Sequence, residues 1–233
     1  MKFIKRKIKD LIQEIFEEIT KPPPQEGGVK SVSIMTAADL LGDFRDGEPE
    51  SRSIGLFSDL DQEKAAELIY SLLSLSSDDH RATVDESSEE PPEPKKPIKF
   101  YISTYGGNAD DMFAIYDLMK QAQEKGYEIH TKGHGKVMSA GVLLLAAGTH
   151  GKREIGRNCR IMIHAVNAGS HGPLHDLKNE LEAIQNIQES YLETLVKETK
   201  MTRSQLRNMI ERKVNVYLTA EEAVELGIAD III

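Results

Sequence analysis

Phe100-Tyr101-Ile102-Ser103-Thr104-Tyr105-Gly106-Gly107 reads as a strand of apolar and aromatic residues closed by a glycine pair. A helical pattern follows over 112–122, then a second strand over 128–133. Gly141-Val142-Leu143-Leu144-Leu145-Ala146-Ala147-Gly148 reads as a buried helix flanked by small residues, and 156–164 as a further strand. Strands and helices alternating across 98–164 predict an α/β fold. Its sheet is mainly parallel, helices lie against it, and ligands bind beyond strand ends.

The chemistry-bearing residues fall at those strand ends. Gly135-Lys136-Val137-Met138-Ser139-Ala140-Gly141 puts Ser139 where the buried helix begins, and Met162-Ile163-His164 ends the next strand on an imidazole. A serine hydroxyl is a poor nucleophile unless a neighbouring base takes its proton and backbone amides receive the developing negative charge. Ala140 N–H, at the helix start, is one such donor. A glycine pair directly after a strand lets a second backbone approach, so Gly106 or Gly107 supplies another. Serine beside glycine is by itself a weak signal, since most such serines are caps or turns.

Several motifs in order carry more weight. Phe100 to Gly107, Ala114-Ile115-Tyr116-Asp117-Leu118-Met119, Gly156-Arg157-Asn158-Cys159-Arg160-Ile161-Met162-Ile163-His164 and Tyr217-Leu218-Thr219-Ala220-Glu221-Glu222-Ala223-Val224-Glu225-Leu226-Gly227-Ile228-Ala229-Asp230 follow one another with one interruption. From about Gly55 to Ile233 the chain resembles the ClpP caseinolytic serine proteases. The resemblance implies a ClpP/crotonase-like fold with a long helical handle, and an endopeptidase that cleaves unfolded polypeptides to short peptides. It implies Ser139 as nucleophile, His164 as base and Gly106 or Gly107 with Ala140 as the oxyanion hole. It also implies a ring homo-oligomer of two stacked heptamers enclosing a chamber, fed by a hexameric AAA+ unfoldase. No P-loop string occurs here, so that motor would be a partner.

One position departs from the family pattern. The place of the third triad member, two residues before Tyr217, holds Asn215, and the nearest carboxylate is Glu211. An asparagine can orient an imidazole by a hydrogen bond, yet it cannot stabilise imidazolium electrostatically. In the chymotrypsin triad the aspartate-to-asparagine change costs ~10⁴ in rate. Two rival readings follow: a non-catalytic subunit that assembles with an active paralogue, and an acyl-coenzyme A enzyme on the same superfold. The second has no use for Ser139 followed by His164.

Composition narrows the class. With 233 residues and a net charge of −9, and with no basic stripe interleaved with aromatics, the chain does not read as a nucleic-acid binder. A single cysteine, Cys159, makes no intramolecular disulfide and fits a reducing compartment. The longest apolar runs fall short of a membrane span, and no signal-peptide core is evident, so the expected location is cytoplasmic.

Residues 1–30 are expected to form an amphipathic helix with a Pro/Gly linker, Pro22-Pro23-Pro24 and Gly27-Gly28 stopping the helix. Residues 31–233 form the peptidase-like domain, interrupted at 76–97 by an acidic, proline-rich stretch expected to be a disordered surface insertion. Asp59 or Asp61 caps a helix from about Gln62. A handle helix over about 174–200 carries Leu177, Leu181, Ile184, Ile187, Tyr191, Leu192 and Leu195 as one apolar stripe. Thr202 with Gln205, and Thr219 with Glu222, have capping-box spacing. His130 with His134 and His171 with His175 repeat a four-residue spacing, but glycines or Gly172-Pro173 interrupt each pair. Neither reads as a metal site, and no cofactor is expected. Asp176 is expected to cap or anchor the handle, with a substitute-carboxylate role as its alternative.

Overall fold

The computed structural model describes residues 52–77, 94–211 and 215–233. The expected N-terminal helix and residues 78–93 of the acidic insertion lie outside these residues. Strand β1 (Ser53–Leu56) leads into helix α1 (Gln62–Ser77), which runs through the first two residues of the expected insertion. Asp61, not Asp59, caps α1: its Oδ1 accepts the Lys64 N–H at 2.9 Å.

Strand β2 (Ile98–Thr104) alternates in burial. Ile98, Phe100, Ile102 and Thr104 are buried, whereas Lys99 is exposed and Tyr101 and Ser103 are half-buried, as a sheet with one helix-covered face requires. Helix α2 (Ala109–Glu124) starts at Asn108, whose side chain accepts the N–H groups of Asp110 and Asp111. Its buried residues Met112, Ile115, Tyr116, Met119 and Ala122 follow helical spacing, and α2 packs on α1.

Strand β3 (Ile129–Met138) is longer than the sequence suggests, because it serves two neighbours. Its first half pairs with β4 (Glu154–Ile155) and its last three residues with β5 (Arg160–Ile163). Gly135, at φ +65°, lies between the halves and lets the strand change partner. Every residue of α3 (Ala140–Ala146) is buried, which accounts for its run of aliphatic residues.

Helix α4 (Leu174–Glu198) is the expected handle, and α5 (Arg203–Glu211), β6 (Val216–Leu218), α6 (Ala220–Glu225) and β7 (Ile231–Ile232) complete the chain. The main path of the sheet is β1-β2-β3-β4-β7, all parallel, with β5 branching from β3 and β6 antiparallel to β5. Both capping boxes form.

The handle divides in two. Leu174 and Leu181 are exposed, whereas Tyr191, Leu192, Leu195 and Glu198 are buried. That buried end is pinned: Glu198 accepts the Tyr116 hydroxyl at 2.7 Å and pairs with Lys120 at 3.1 Å. Arg153 donates from Nη1 to the Glu198 carbonyl at 2.7 Å and to the Ala146 carbonyl at 3.1 Å, while Nε and Nη2 grip the Asp230 carboxylate at 2.8 and 2.6 Å. One buried guanidinium thereby joins α3, α4 and the approach to β7.

Candidate active site

Strand register places the predicted residues at one end of the sheet. Thr104 of β2 pairs with Val137 of β3, and Met138 of β3 pairs with Met162 of β5. The Gly106-Gly107 turn, Ser139 and His164 therefore leave three adjacent strands at the same end of the sheet. A backbone bond from Ser139 N–H to the Met162 carbonyl, 2.8 Å, ties the serine to the strand that delivers the histidine. Strand β6 pairs antiparallel with β5, Ile163 facing Val216. Continuing that register by one residue sets Asn215 opposite His164.

Ser139 has φ 53° and ψ −121°, and among the described residues no other non-glycine has a positive φ. Such a conformation costs about 1–3 kcal/mol and persists only where its surroundings hold it. Besides the bond to Met162, the Ser139 carbonyl accepts the Val142 N–H at 3.0 Å and the Tyr191 hydroxyl at 3.1 Å. The serine side chain makes no capping hydrogen bond to α3, so Oγ is not spent on the helix. Gly106 lies directly against it: a Cβ on Gly106 would stand 2.5 Å from Ser139 Cβ and 3.0 Å from Oγ. Only a residue without a side chain permits that approach.

The two glycines are not equivalent. Gly106 N–H donates to Thr104 Oγ1 at 3.0 Å, and its carbonyl accepts the Leu60 N–H at 2.7 Å. The Gly107 N–H has no hydrogen-bond partner among the described residues. Ala140 opens α3, where an N–H lacks an intrahelical acceptor.

His164 is half-buried, and the side-chain amide of Asn167 lies 3.4 Å from its Nδ1. Sequence reasoning missed Asn167, because an asparagine in a Gly/Ser-rich stretch looks like loop solvation; its only signal is that it follows a candidate base by three residues. Asn215 is exposed, and no hydrogen bond joins it to His164 among the described residues. Neither alternative carboxylate is built into the site: Glu211 is exposed at the end of α5, and exposed Asp176 pairs with His175 at 3.2 Å. Tyr191 was also missed, since its place on an apolar stripe says nothing of its hydroxyl.

The remaining histidines have other neighbours. His130 lies 2.7 Å from Glu128, holding that carboxyl below its usual range by hydrogen bonding, and His134 stacks on Tyr101 with ring centroids 6.1 Å apart. No group of three or more His, Cys, Asp or Glu among the described residues is arranged to hold a metal ion. Cys159 is buried, and burial pushes its thiol up to about 11, away from thiolate chemistry.

The Clp protease family profile matches residues 88–233, the stretch that contains Gly106, Gly107, Ser139, Ala140, His164 and Asn215. The chain belongs to the Clp protease family. An "ATP-dependent Clp protease proteolytic subunit 1" of Corynebacterium glutamicum is 32% identical over 182 residues, 78% of each chain. A subunit 1 of Corynebacterium jeikeium is 34% identical over 182 residues, 78% of this chain and 87% of that one. A subunit 2 of the same organism is 36% identical over 139 residues, which span 59% of this chain and 64% of that relative. Membership in the Clp protease family implies serine-peptidase chemistry, and these relatives do not favour the non-catalytic reading. Among the described residues of this Clp-family chain, no helix is long and apolar enough to cross a membrane.

Proposed function

We propose that the chain is a serine endopeptidase, the proteolytic subunit of an ATP-dependent Clp-type protease. The observation that carries this reading is the strained Ser139, its Oγ not bonded to the helix, tied by a backbone hydrogen bond to the strand that leads into His164. Ser139 Oγ attacks the peptide carbonyl while His164 takes its proton; the same proton then goes to the leaving amine, and water repeats the cycle on the acyl-enzyme. The oxyanion forms between the N–H groups of Gly107 and Ala140. Gly106 serves by its lack of a side chain, its own N–H being spent on Thr104.

An asparagine orients the imidazole. Strand register favours Asn215 and the observed contact favours Asn167; neither brings a negative charge, so turnover is slower than an aspartate would allow. The exposed, leucine-bearing first half of α4 supports ring assembly, with two stacked heptamers enclosing a cytoplasmic chamber and a hexameric AAA+ unfoldase threading unfolded polypeptide into it. In this organisation 31–233 holds the peptidase domain, and the acidic stretch interrupts it between α1 and β2.

The test is labelling of the purified full chain with a fluorophosphonate probe, the modified residue being located by mass spectrometry with Ser139→Ala as control. An adduct on Ser139 is expected. No adduct in an assembled oligomer would overturn the reading and favour a subunit that serves assembly alone.

A further inference from the structure

We propose that Tyr191 is a positioning residue for the oxyanion hole: by holding the Ser139 carbonyl, its buried hydroxyl sets the direction of the Ala140 N–H. The inference rests on the serine-peptidase reading and deepens it.

Ser139 C=O and Ala140 N–H belong to one planar peptide group, and no peptide bond among the described residues is cis. In a trans peptide the C=O and N–H bonds point in opposite directions, so fixing the carbonyl fixes the N–H. This peptide needs fixing. Ser139 pays for an unfavourable φ of 53° and ψ of −121°, and rotation of the peptide plane would relieve that strain while turning the Ala140 N–H away from the strand end.

Two donors oppose the rotation. One is the Val142 N–H at 3.0 Å, from the first turn of α3; the other is the Tyr191 hydroxyl at 3.1 Å, from α4. Only the second comes from outside the serine's own helix. Tyr191 is 6% exposed, and burial raises its phenol well above the ordinary range, so it remains a donor at any pH near neutrality. It stands about two turns before the end of α4 that Glu198 and Arg153 pin to the rest of the fold. A phenylalanine would fill the same space; the hydroxyl has a use only because the Ser139 carbonyl lies within its reach. A hydrogen bond accepted by that carbonyl also polarises the amide, making the Ala140 N–H a stronger donor.

Tyr191→Phe in the full, assembled chain is the test, with a fluorogenic peptide as substrate and a peptide aldehyde as inhibitor. The aldehyde forms a tetrahedral adduct whose oxygen needs the oxyanion donors. The expected result is a kcat about ten-fold lower at unchanged KM, a fraction of the hundred-fold or more lost with a whole donor. Aldehyde affinity is expected to fall by a similar factor, while binding of a product peptide stays the same. Tyr191→4-aminophenylalanine, which restores an N–H donor on the same ring, is expected to recover both.

Wild-type kcat and aldehyde affinity in Tyr191→Phe would overturn the proposal. If Tyr191→Phe assembles poorly, the 4-amino variant decides: recovered assembly with recovered turnover supports positioning, and recovered assembly without turnover overturns it. A wild-type chain that fails to label at Ser139 would instead remove the peptidase reading beneath it.

Discussion

Gly106→Ala tests the site through its tightest contact. The new Cβ would lie 2.5 Å from Ser139 Cβ, 3.0 Å from the Met138 carbonyl oxygen and 3.0 Å from Ser139 Oγ. Carbon atoms in contact settle near ~3.5 Å, so the serine or the glycine turn must retreat by about 1 Å. Neither neighbour is the free end of a long side chain. Gly106 is held through its N–H by Thr104 and through its carbonyl by Leu60, and Ser139 is held by Met162, Val142 and Tyr191.

A displacement of about 1 Å at a reacting atom costs roughly 100-fold, equivalent to about 2.7 kcal/mol in activation free energy. Gly106 also has φ +112°, so the variant carries backbone strain as well as the clash. Gly151→Ala separates the two effects: its φ is +82°, yet an added Cβ meets nothing within 4 Å. Peptide hydrolysis and the rate of fluorophosphonate labelling, measured on assembled protein, are expected to fall about 100-fold in Gly106→Ala and to stay within about two-fold of wild type in Gly151→Ala. Wild-type labelling of Gly106→Ala would refute the reasoning, because it would mean the turn does not constrain Ser139.

Three further predictions concern the imidazole and the Arg153 junction. Asn215→Asp is expected to raise peptide hydrolysis by about ten-fold or more, because a carboxylate would then face His164 and stabilise its charged form. Asn167→Ala is expected to lower hydrolysis only about two- to five-fold, the worth of one exposed hydrogen bond. An unchanged or slower rate in assembled Asn215→Asp would remove Asn215 from the site. At the junction, burial raises the Asp230 carboxyl, but the hydrogen bonds and charge of Arg153 outweigh it and leave the group below its usual range. A depressed carboxylate stabilises the fold above its unfolded pKa of about 4, and that stability is lost as pH falls through the folded value. Asp230→Asn should cost about 3 kcal/mol at pH 7, since it leaves a buried guanidinium without its counter-charge. Chemical denaturation followed from pH 7 to pH 3 should show a shallower acid limb in the variant; parallel limbs would mean that Asp230 does not carry the linkage.

Local pattern alone specified most of the architecture. The alternation in β2 and the apolar spacing of α2 each state their own period, and a period determines which face is buried, while the unbroken aliphatic run of α3 marks a helix buried all round. The placement of Ser139, His164 and the glycine pair at strand ends was legible because such motifs declare themselves within a few residues. What sequence could not assign is whatever depends on two distant segments meeting. The Tyr191 hydroxyl reaches the Ser139 carbonyl across 52 residues of chain, and Arg153 joins Ala146, Glu198 and Asp230. Which glycine keeps a free N–H turned on whether Thr104 bends back to Gly106. A tyrosine in an apolar stripe and an asparagine in a loop look the same whether or not their polar atoms have partners. Those partners are supplied by strand register and helix packing, so the periodic elements were readable from sequence, while the hydrogen bonds that aim the candidate site belong to tertiary structure alone.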